Sequence, residues 1–240
     1  MRTWPTSVIV AALIALPLST SSAQTHVYRL NGTLADTYGG PSLVADGGTL
    51  TSSGYFFGPN QGLTLSNVFT TGVSYSIVIH AQLASTSGWR KMVDFKDLVS
   101  DSGYYDYFGT STLYFSNTYV PNSYSDGTFA TTVLTRDFST DIFTWYINGV
   151  KGFAYLDGGK YGEFTAPNNI AHFFEDDFHT FQTEASAGFV DYIAIYDVPL
   201  TDEDVAAIGQ NIAPEPATLG LVATGLIGLA GVARRRKRRA

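Results

Sequence analysis

The chain has 240 residues, of which 45% are hydrophobic, 14% aromatic and only 15% charged, and it contains no cysteine. This composition suits a packed core of strands and turns, and it excludes disulfides, thiolate metal sites and cysteine nucleophiles. The net charge is -7, and all acidic residues except Glu215 lie between residues 24 and 213. An acidic middle region argues against binding to nucleic acid or anionic lipid and suits neutral glycans or divalent cations.

Residues 1–23 have the pattern of a secretory signal peptide. Arg2 supplies the positive start, residues 8–18 the apolar run, and residues 21–23 the small side chains that precede cleavage. A buried helix is the alternative, but Pro5 and Pro17 flank or interrupt the apolar run. We therefore expect the exported chain to begin at Gln24.

Residues 24–210 are predicted to form one all-β domain. Short β-prone runs alternate with turn residues, and residues 75–83 alternate between apolar and mostly polar side chains, as in a half-buried strand. Further strands are predicted at residues 26–30, 54–57, 63–65, 90–95, 104–108, 112–115, 130–136, 142–147, 151–155, 170–174 and 189–196. Since no helices alternate with these strands, the pattern predicts a sandwich of two antiparallel sheets.

Two local signals refine this prediction. Asn148-Gly149 separates two aromatic-rich runs, and both residues tolerate the positive φ angles of a type I′ hairpin turn. Thr201, followed three residues later by Asp204, resembles a capping box and predicts one short helix at the end of the domain.

A cluster of tyrosines between residues 104 and 119 is a candidate glycan platform. Rings that stack on sugar faces, with neighbouring amides and hydroxyls, would bind a carbohydrate. Ordinary packing of aromatic side chains within the sandwich is the alternative explanation. The candidate residues are Tyr104, Tyr105, Tyr107, Tyr114 and Tyr119.

The densest acidic cluster offers a candidate calcium site. Calcium takes six to eight oxygen ligands, and Glu175, Asp176, Asp177 and Glu184 supply carboxylates in a predicted loop. A simply solvated acidic loop is the alternative. The flanking His172 and His179 lack the usual spacing of transition-metal ligands.

Catalytic carboxylates are also considered, because glycoside hydrolysis needs two of them across the scissile bond. The chain has no run of alternating carboxylates on one strand. Asp191 and Asp197, six residues apart on the last predicted strand, fit turn or edge positions better. A glycan-active enzyme is therefore the alternative hypothesis rather than the main one.

Three segments in order give the domain a resemblance to laminin-G-like, concanavalin-type jelly rolls. They are the alternating strand at residues 75–83, the hairpin "WYINGV" at 145–150, and "GFVDYIAIYDVPLTDEDVAAI" at 188–208. The resemblance implies a domain that binds glycans or proteins, often with calcium. Some related folds are glycan-cleaving enzymes.

The C-terminal region combines three features. Pro214, Glu215 and Pro216 end a linker at residues 211–216, an uncharged apolar run covers 217–233, and a basic tail occupies 234–240. The apolar run of 17 residues would span about 25 Å as a helix, which is marginal for a membrane. An ordinary membrane anchor is the alternative to a sorting segment.

Together these features resemble the PEP-CTERM sorting signal of exported proteins from Gram-negative bacteria that produce extracellular polysaccharide. The resemblance implies an exosortase that processes the chain near the Pro-Glu-Pro triplet, after transient anchoring in the inner membrane. The expected function is non-catalytic binding of extracellular polysaccharide or a surface protein, at the cell surface or in the matrix.

Overall fold

The structure is a computed structural model that describes residues 26–69 and 72–212. The predicted signal peptide, the Pro-Glu-Pro triplet, the apolar run and the basic tail all lie outside the described residues. Within those residues the strands are β1 (His26–Tyr28), β2 (Val44–Ala45), β3 (Thr49–Leu50), β4 (Tyr55–Phe57), β5 (Leu63–Leu65), β6 (Tyr75–Leu83), β7 (Trp89–Asp94), β8 (Gly103–Tyr107), β9 (Thr110–Leu113), β10 (Ala130–Asp137), β11 (Ile142–Ile147), β12 (Val150–Leu156), β13 (Ala171–Phe173) and β14 (Gly188–Tyr196), and the helix is α1 (Asp202–Ile212).

The strands form two antiparallel sheets. The eight-stranded sheet has the order β12-β11-β10-β6-β14-β4-β3, with β1 also paired to β14, and the six-stranded sheet has the order β2-β5-β13-β7-β8-β9. The all-β sandwich predicted from the sequence is thereby confirmed. Strands β2 and β3 were not predicted, because two residues are too few to show alternation.

The hairpin between β11 and β12 is confirmed in detail. Ile147 pairs with Val150 across the turn, and Asn148 and Gly149 both have positive φ angles, 51° and 77°. These are the angles that favour Asn-Gly in a type I′ turn.

The main core lies between the two sheets. Buried side chains from both sheets meet there, including Ile77 and Ile79 of β6, Val93 of β7 and Trp145 of β11. The fold also contains a buried ion pair. Arg136 Nε lies 3.0 Å from Asp157 Oδ2, and neither side chain is accessible to solvent.

Helix α1 covers the opposite face of the eight-stranded sheet. Val205 of α1 packs in a second apolar cluster with Val78 and Val133 of that sheet. The helix begins as predicted, because the Asp204 amide donates to Thr201 Oγ1 and the Thr201 amide donates to Asp204 Oδ2, both at 3.2 Å. No helix packs in this way on the outer face of the six-stranded sheet within the described residues, and the candidate site lies on that face.

Candidate binding face on the six-stranded sheet

Strand alternation divides the side chains of β8 between the two faces of its sheet. Tyr104 points into the core, where its hydroxyl lies 3.2 Å from that of Tyr124 and its ring contacts Trp145. Tyr105 and Tyr107 therefore point outward, because successive strand residues face opposite sides. Tyr104 was wrongly grouped with the glycan platform for this reason: the sequence cluster mixed both faces of one strand.

The other four predicted tyrosines do come together, and they do so around Trp89 of β7. The centroid of the Trp89 ring lies 4.2 Å from Tyr107, 5.4 Å from Tyr105 and Tyr114, and 6.3 Å from Tyr119. We call these five residues the aromatic patch. Tyr105 is fully buried, whereas Tyr119 is 47% exposed.

Trp89 was missed because only the pairing of β7 with β8 reveals it. Trp89 is the direct neighbour of Tyr107 across the strands, and Lys91 is the neighbour of Tyr105. A cross-strand register depends on residues that are distant in sequence, so no local signal around residue 89 points to the tyrosines.

Next to the aromatic patch lies a buried ionic group, here called the lysine cluster, formed by Lys91, Asp94, Asp176 and Asp177. The Lys91 ammonium donates to Asp177 Oδ2 and, at 3.1 Å, to Asp94 Oδ2, and it lies 3.8 Å from Asp176 Oδ1. All four side chains are inaccessible to solvent. Lys91 also lies 5.1 Å from the centre of the Tyr105 ring, so the two features adjoin.

Asp101 and Glu184 occupy the border between the patch and the cluster. The Tyr105 hydroxyl donates to Asp101 Oδ1 at 2.8 Å. Burial, together with the negative charges of Asp101 and Asp176, raises the pKa of Glu184 to about 7. Near neutral pH the Glu184 carboxyl is therefore partly protonated, so it can donate a hydrogen bond as well as accept one.

Glu175 points away from the lysine cluster. Its Oε2 lies 2.8 Å from His172 Nδ1, and Asp97 Oδ1 lies 3.0 Å from His172 Nε2. Burial alone would lower the pKa of His172, but the hydrogen bonds to these two carboxylates raise it.

The four carboxylates predicted for calcium therefore do not surround one point. Asp176 and Asp177 face an ammonium group, Glu184 lies at the border, and Glu175 binds a histidine. Across residues 26–69 and 72–212, no three His, Asp or Glu side chains are grouped so that they could hold a metal ion. The arrangement does not fit calcium at the lysine cluster, because the Lys91 ammonium lies among its carboxylates.

Asp191, one of the two carboxylates considered for catalysis, does not lie on the binding face. Asp191 of β14 lies 2.6 Å from His80 Nδ1, in the eight-stranded sheet. The only carboxyl of the binding face with a pKa of about 7 among the described residues is Glu184.

Solved structures share this architecture. The chain superposes on domain 4 of an extracellular arabinanase from Geobacillus stearothermophilus, solved in complex with arabinotriose, with a TM-score of 0.61 and 17% identity, over 79% of this chain and 99% of that one. A Trypanosoma rangeli sialidase gives a TM-score of 0.58 at 12% identity over 78% of this chain and 32% of the sialidase. The binding domain of botulinum neurotoxin serotype D gives 0.53 at 11% identity, over 78% of this chain and 50% of that one. At these identities the likeness concerns the fold, which is a jelly-roll β-sandwich.

The C-terminal region carries a recognisable sorting signal. Residues 213–238 match the PEP-CTERM protein-sorting motif, which confirms the interpretation of Pro214, Glu215 and Pro216. The chain is therefore a β-sandwich protein with a PEP-CTERM signal, which implies export, exosortase processing and sorting to the cell envelope. No helix among the described residues is long and apolar enough to cross a membrane. No curated protein is similar in sequence to this chain.

Proposed function

We propose that the protein is delivered to the cell surface or the exopolysaccharide matrix of a Gram-negative bacterium, where its sandwich binds a glycan without cleaving it. The aromatic patch carries this proposal, because it groups four tyrosines around one tryptophan on an outer sheet face. Aromatic rings bind the apolar faces of sugars, and nearby polar groups bind sugar hydroxyls. Asp101 and Glu184 supply such groups at the border of the patch.

The charge of the face favours a neutral glycan. Asp101 and Glu184 border the patch, and Lys91, which lies 5.1 Å from the centre of the Tyr105 ring, is buried and bound to aspartates. An anionic polysaccharide would therefore meet carboxylates at this border. The arabinanase domain, which has the same fold, was solved with a neutral oligosaccharide, arabinotriose, and this supports the proposal.

Binding is tested by co-sedimentation with arabinan, cellulose and the exopolysaccharide of a bacterium that has an exosortase. Tyr119→Ala should weaken binding about two- to tenfold, since one aromatic contact contributes roughly 0.5–1.5 kcal/mol. Tyr38→Ala is the matched control, because Tyr38 is an exposed tyrosine in the segment between β1 and β2. Equal loss in both variants, or no binding to any of the three polysaccharides, would contradict glycan binding at the patch.

A glycan-active enzyme is the second candidate, favoured by one observation. Glu184 has the pKa of a general acid, and Asp101 is the carboxylate beside it. By contrast, Glu175 and Asp177 are committed to His172 and Lys91. An enzyme would release soluble sugars from the bound polysaccharide and lose that activity in Glu184→Gln, whereas a binding domain releases none.

Sorting is tested by the mass of the protein recovered outside the cell. Processing near the Pro-Glu-Pro triplet removes the basic tail, so the recovered chain should lack residues 234–239. Deletion of the exosortase gene should retain the tail and keep the protein with the inner membrane. A full tail on the secreted protein of the wild-type strain contradicts this route.

A further inference from the structure

Lys91 and Asp177 contact each other although 86 positions separate them in the sequence. Lys91 lies on β7, and Asp177 lies in the connection between β13 and β14. The Nζ atom donates to Asp177 Oδ2, and both side chains are completely shielded from solvent. An amine and a carboxyl held in contact without water are the two reactants of an amide bond.

The surroundings of Asp177 prepare its carboxyl carbon for attack. Its second oxygen, Oδ1, accepts hydrogen bonds from the amides of His179 at 2.6 Å and Thr180 at 3.1 Å. Two backbone N–H groups on one oxygen stabilise the negative charge that develops there when a nucleophile adds to the carbon.

A proton acceptor lies on the other side of the lysine. Asp94 Oδ2 is 3.1 Å from Nζ, while Asp94 Oδ1 accepts the amides of Lys96 at 2.8 Å and Leu98 at 3.0 Å. These amides occupy Oδ1 and leave Oδ2 in contact with the ammonium group, within reach for a proton transfer.

Asp176 provides a proton donor. Its Oδ1 lies 3.8 Å from Nζ and is buried without a hydrogen-bond partner, whereas its Oδ2 accepts from Thr180 Oγ1 and the Glu184 amide, both at 2.8 Å. Burial raises the pKa of Asp176, which favours the protonated form. A protonated Oδ1 would satisfy the one unpaired oxygen of this group by donating within the cluster.

We propose that Lys91 and Asp177 condense to an isopeptide bond that links β7 covalently to the connection between β13 and β14. Asp94 takes one proton from the ammonium, and the free amine attacks Cγ of Asp177. The C–Oδ2 bond then breaks, and Oδ2 leaves as water with two protons that originate from Nζ and are relayed by Asp94 and Asp176. The charges of Lys91 and Asp177 cancel in the neutral amide, both relaying carboxyls regain their initial protonation, and no oxidant or cofactor is needed.

Burial shifts this equilibrium towards the amide. In water, ammonium and carboxylate ions are well solvated, but burial removes that solvation from both ions, and a neutral amide avoids the cost. The fold also fixes the two groups at an effective concentration that no free pair reaches. Such a bond would give an exported, cysteine-free chain the covalent link that a disulfide cannot provide.

The test is the mass of the folded, full-length protein after denaturation. The wild-type chain should be lighter than its sequence by one water, about 18 Da. Trypsin should fail to cut after Lys91, and tandem mass spectrometry should identify a branched peptide that joins Lys91 to Asp177. Lys151→Arg, which alters an exposed lysine paired with Asp202, should keep the mass deficit.

Two variants separate reactivity from folding. Lys91→Arg removes the nucleophile, and Asp176→Asn keeps both reactants but removes the proton donor; both should have the full mass. If either variant fails to fold, the peptide map of the wild-type protein still decides the question. A wild-type mass equal to that of the unmodified chain overturns the proposal, as does a water loss that maps to any other pair of residues.

Discussion

Asp106 is the residue whose replacement best tests the electrostatics of this fold. It lies on β8 between the outward-facing Tyr105 and Tyr107, so its carboxylate points between the sheets with Tyr104. It is fully buried, and neither of its oxygens makes a hydrogen bond of normal geometry. Burial raises the pKa of Asp106 to about 7, and the nearby Gly109 amide and Arg90 charge offset this only in part.

The sign and size of the effect follow from linkage. The pKa of Asp106 in the folded protein exceeds its ordinary value of 3.8, so the protonated carboxyl stabilises the fold fully below about pH 4, and this stabilisation is lost as the pH rises through 7. The rise of this pKa from 3.8 to about 7 corresponds to roughly 4 kcal/mol as an upper limit, and dielectric screening within the protein reduces it to about 2–4 kcal/mol. Asp106→Asn cannot ionise, so the variant should gain about that much on the wild type between pH 4 and 8.

Urea unfolding at pH 4, 5.5, 7 and 8, followed by the fluorescence of the buried Trp145, measures this difference. An unpaired Asn amide can add a constant offset, so the slope of the difference against pH is the test. Glu203→Gln, on the exposed side of α1, is the control and should run parallel to the wild type. If the difference in unfolding free energy between Asp106→Asn and the wild type does not change with pH, the reasoning is wrong. If the variant instead becomes less stable relative to the wild type as the pH rises, Asp106 is ionised in the folded protein and paired with Arg90.

Other predictions concern the remaining charged groups. Arg136→Met should lower the free energy of unfolding by about 3–5 kcal/mol, because it leaves the buried Asp157 without its partner; Lys151→Met, at an exposed pair, should change it by less than about 1 kcal/mol. Between pH 5 and 8 the wild type should lose free energy of unfolding as Glu184 ionises, because its raised pKa means that the fold favours the protonated carboxyl. Glu184→Gln should reduce this loss by about 1–2 kcal/mol, after allowance for solvent screening, and a slope like that of the wild type would contradict the assigned pKa. A chelator should leave the melting temperature unchanged, because Lys91 lies among the carboxylates of its cluster where a cation would bind, whereas a fall would indicate a bound divalent cation.

The features that sequence analysis predicted correctly are local. The strand at residues 75–83, the Asn-Gly hairpin and the capped helix each depend on neighbours within a few positions. The same holds for the C-terminal signal, which is a linear order of a triplet, an apolar run and a basic tail. Such signals need no tertiary contact to be recognised.

The sequence located only some of the residues that the structure groups at each candidate site, because sites join distant segments. Four tyrosines of the aromatic patch were identified by their density in the sequence, but Tyr104 was wrongly included because its orientation depends on which face of β8 meets the core. Trp89 was missed because its contact with Tyr107 depends on strand register.

The acidic loop at residues 175–184 was also only partly predictable from its own sequence. Its carboxylates suggested a cation, but the position of Lys91 opposite Asp177 depends on pairing of β13 and β7 and on the path of the loop that follows. The charge of a cluster is a sum over groups from several elements, and a sequence window contains only some of them.

The sequence by itself thus determined the class of fold, the absence of disulfides and the sorting signal that implies export, because composition, periodicity and terminal motifs are properties of short windows. The tertiary structure alone decided which aromatic residues share an outer face, which carboxylates surround Lys91 and which acid lies buried without a partner. The physical reason is that register and sheet packing bring together residues that are far apart in the chain, and the chemistry of each site depends on those neighbours.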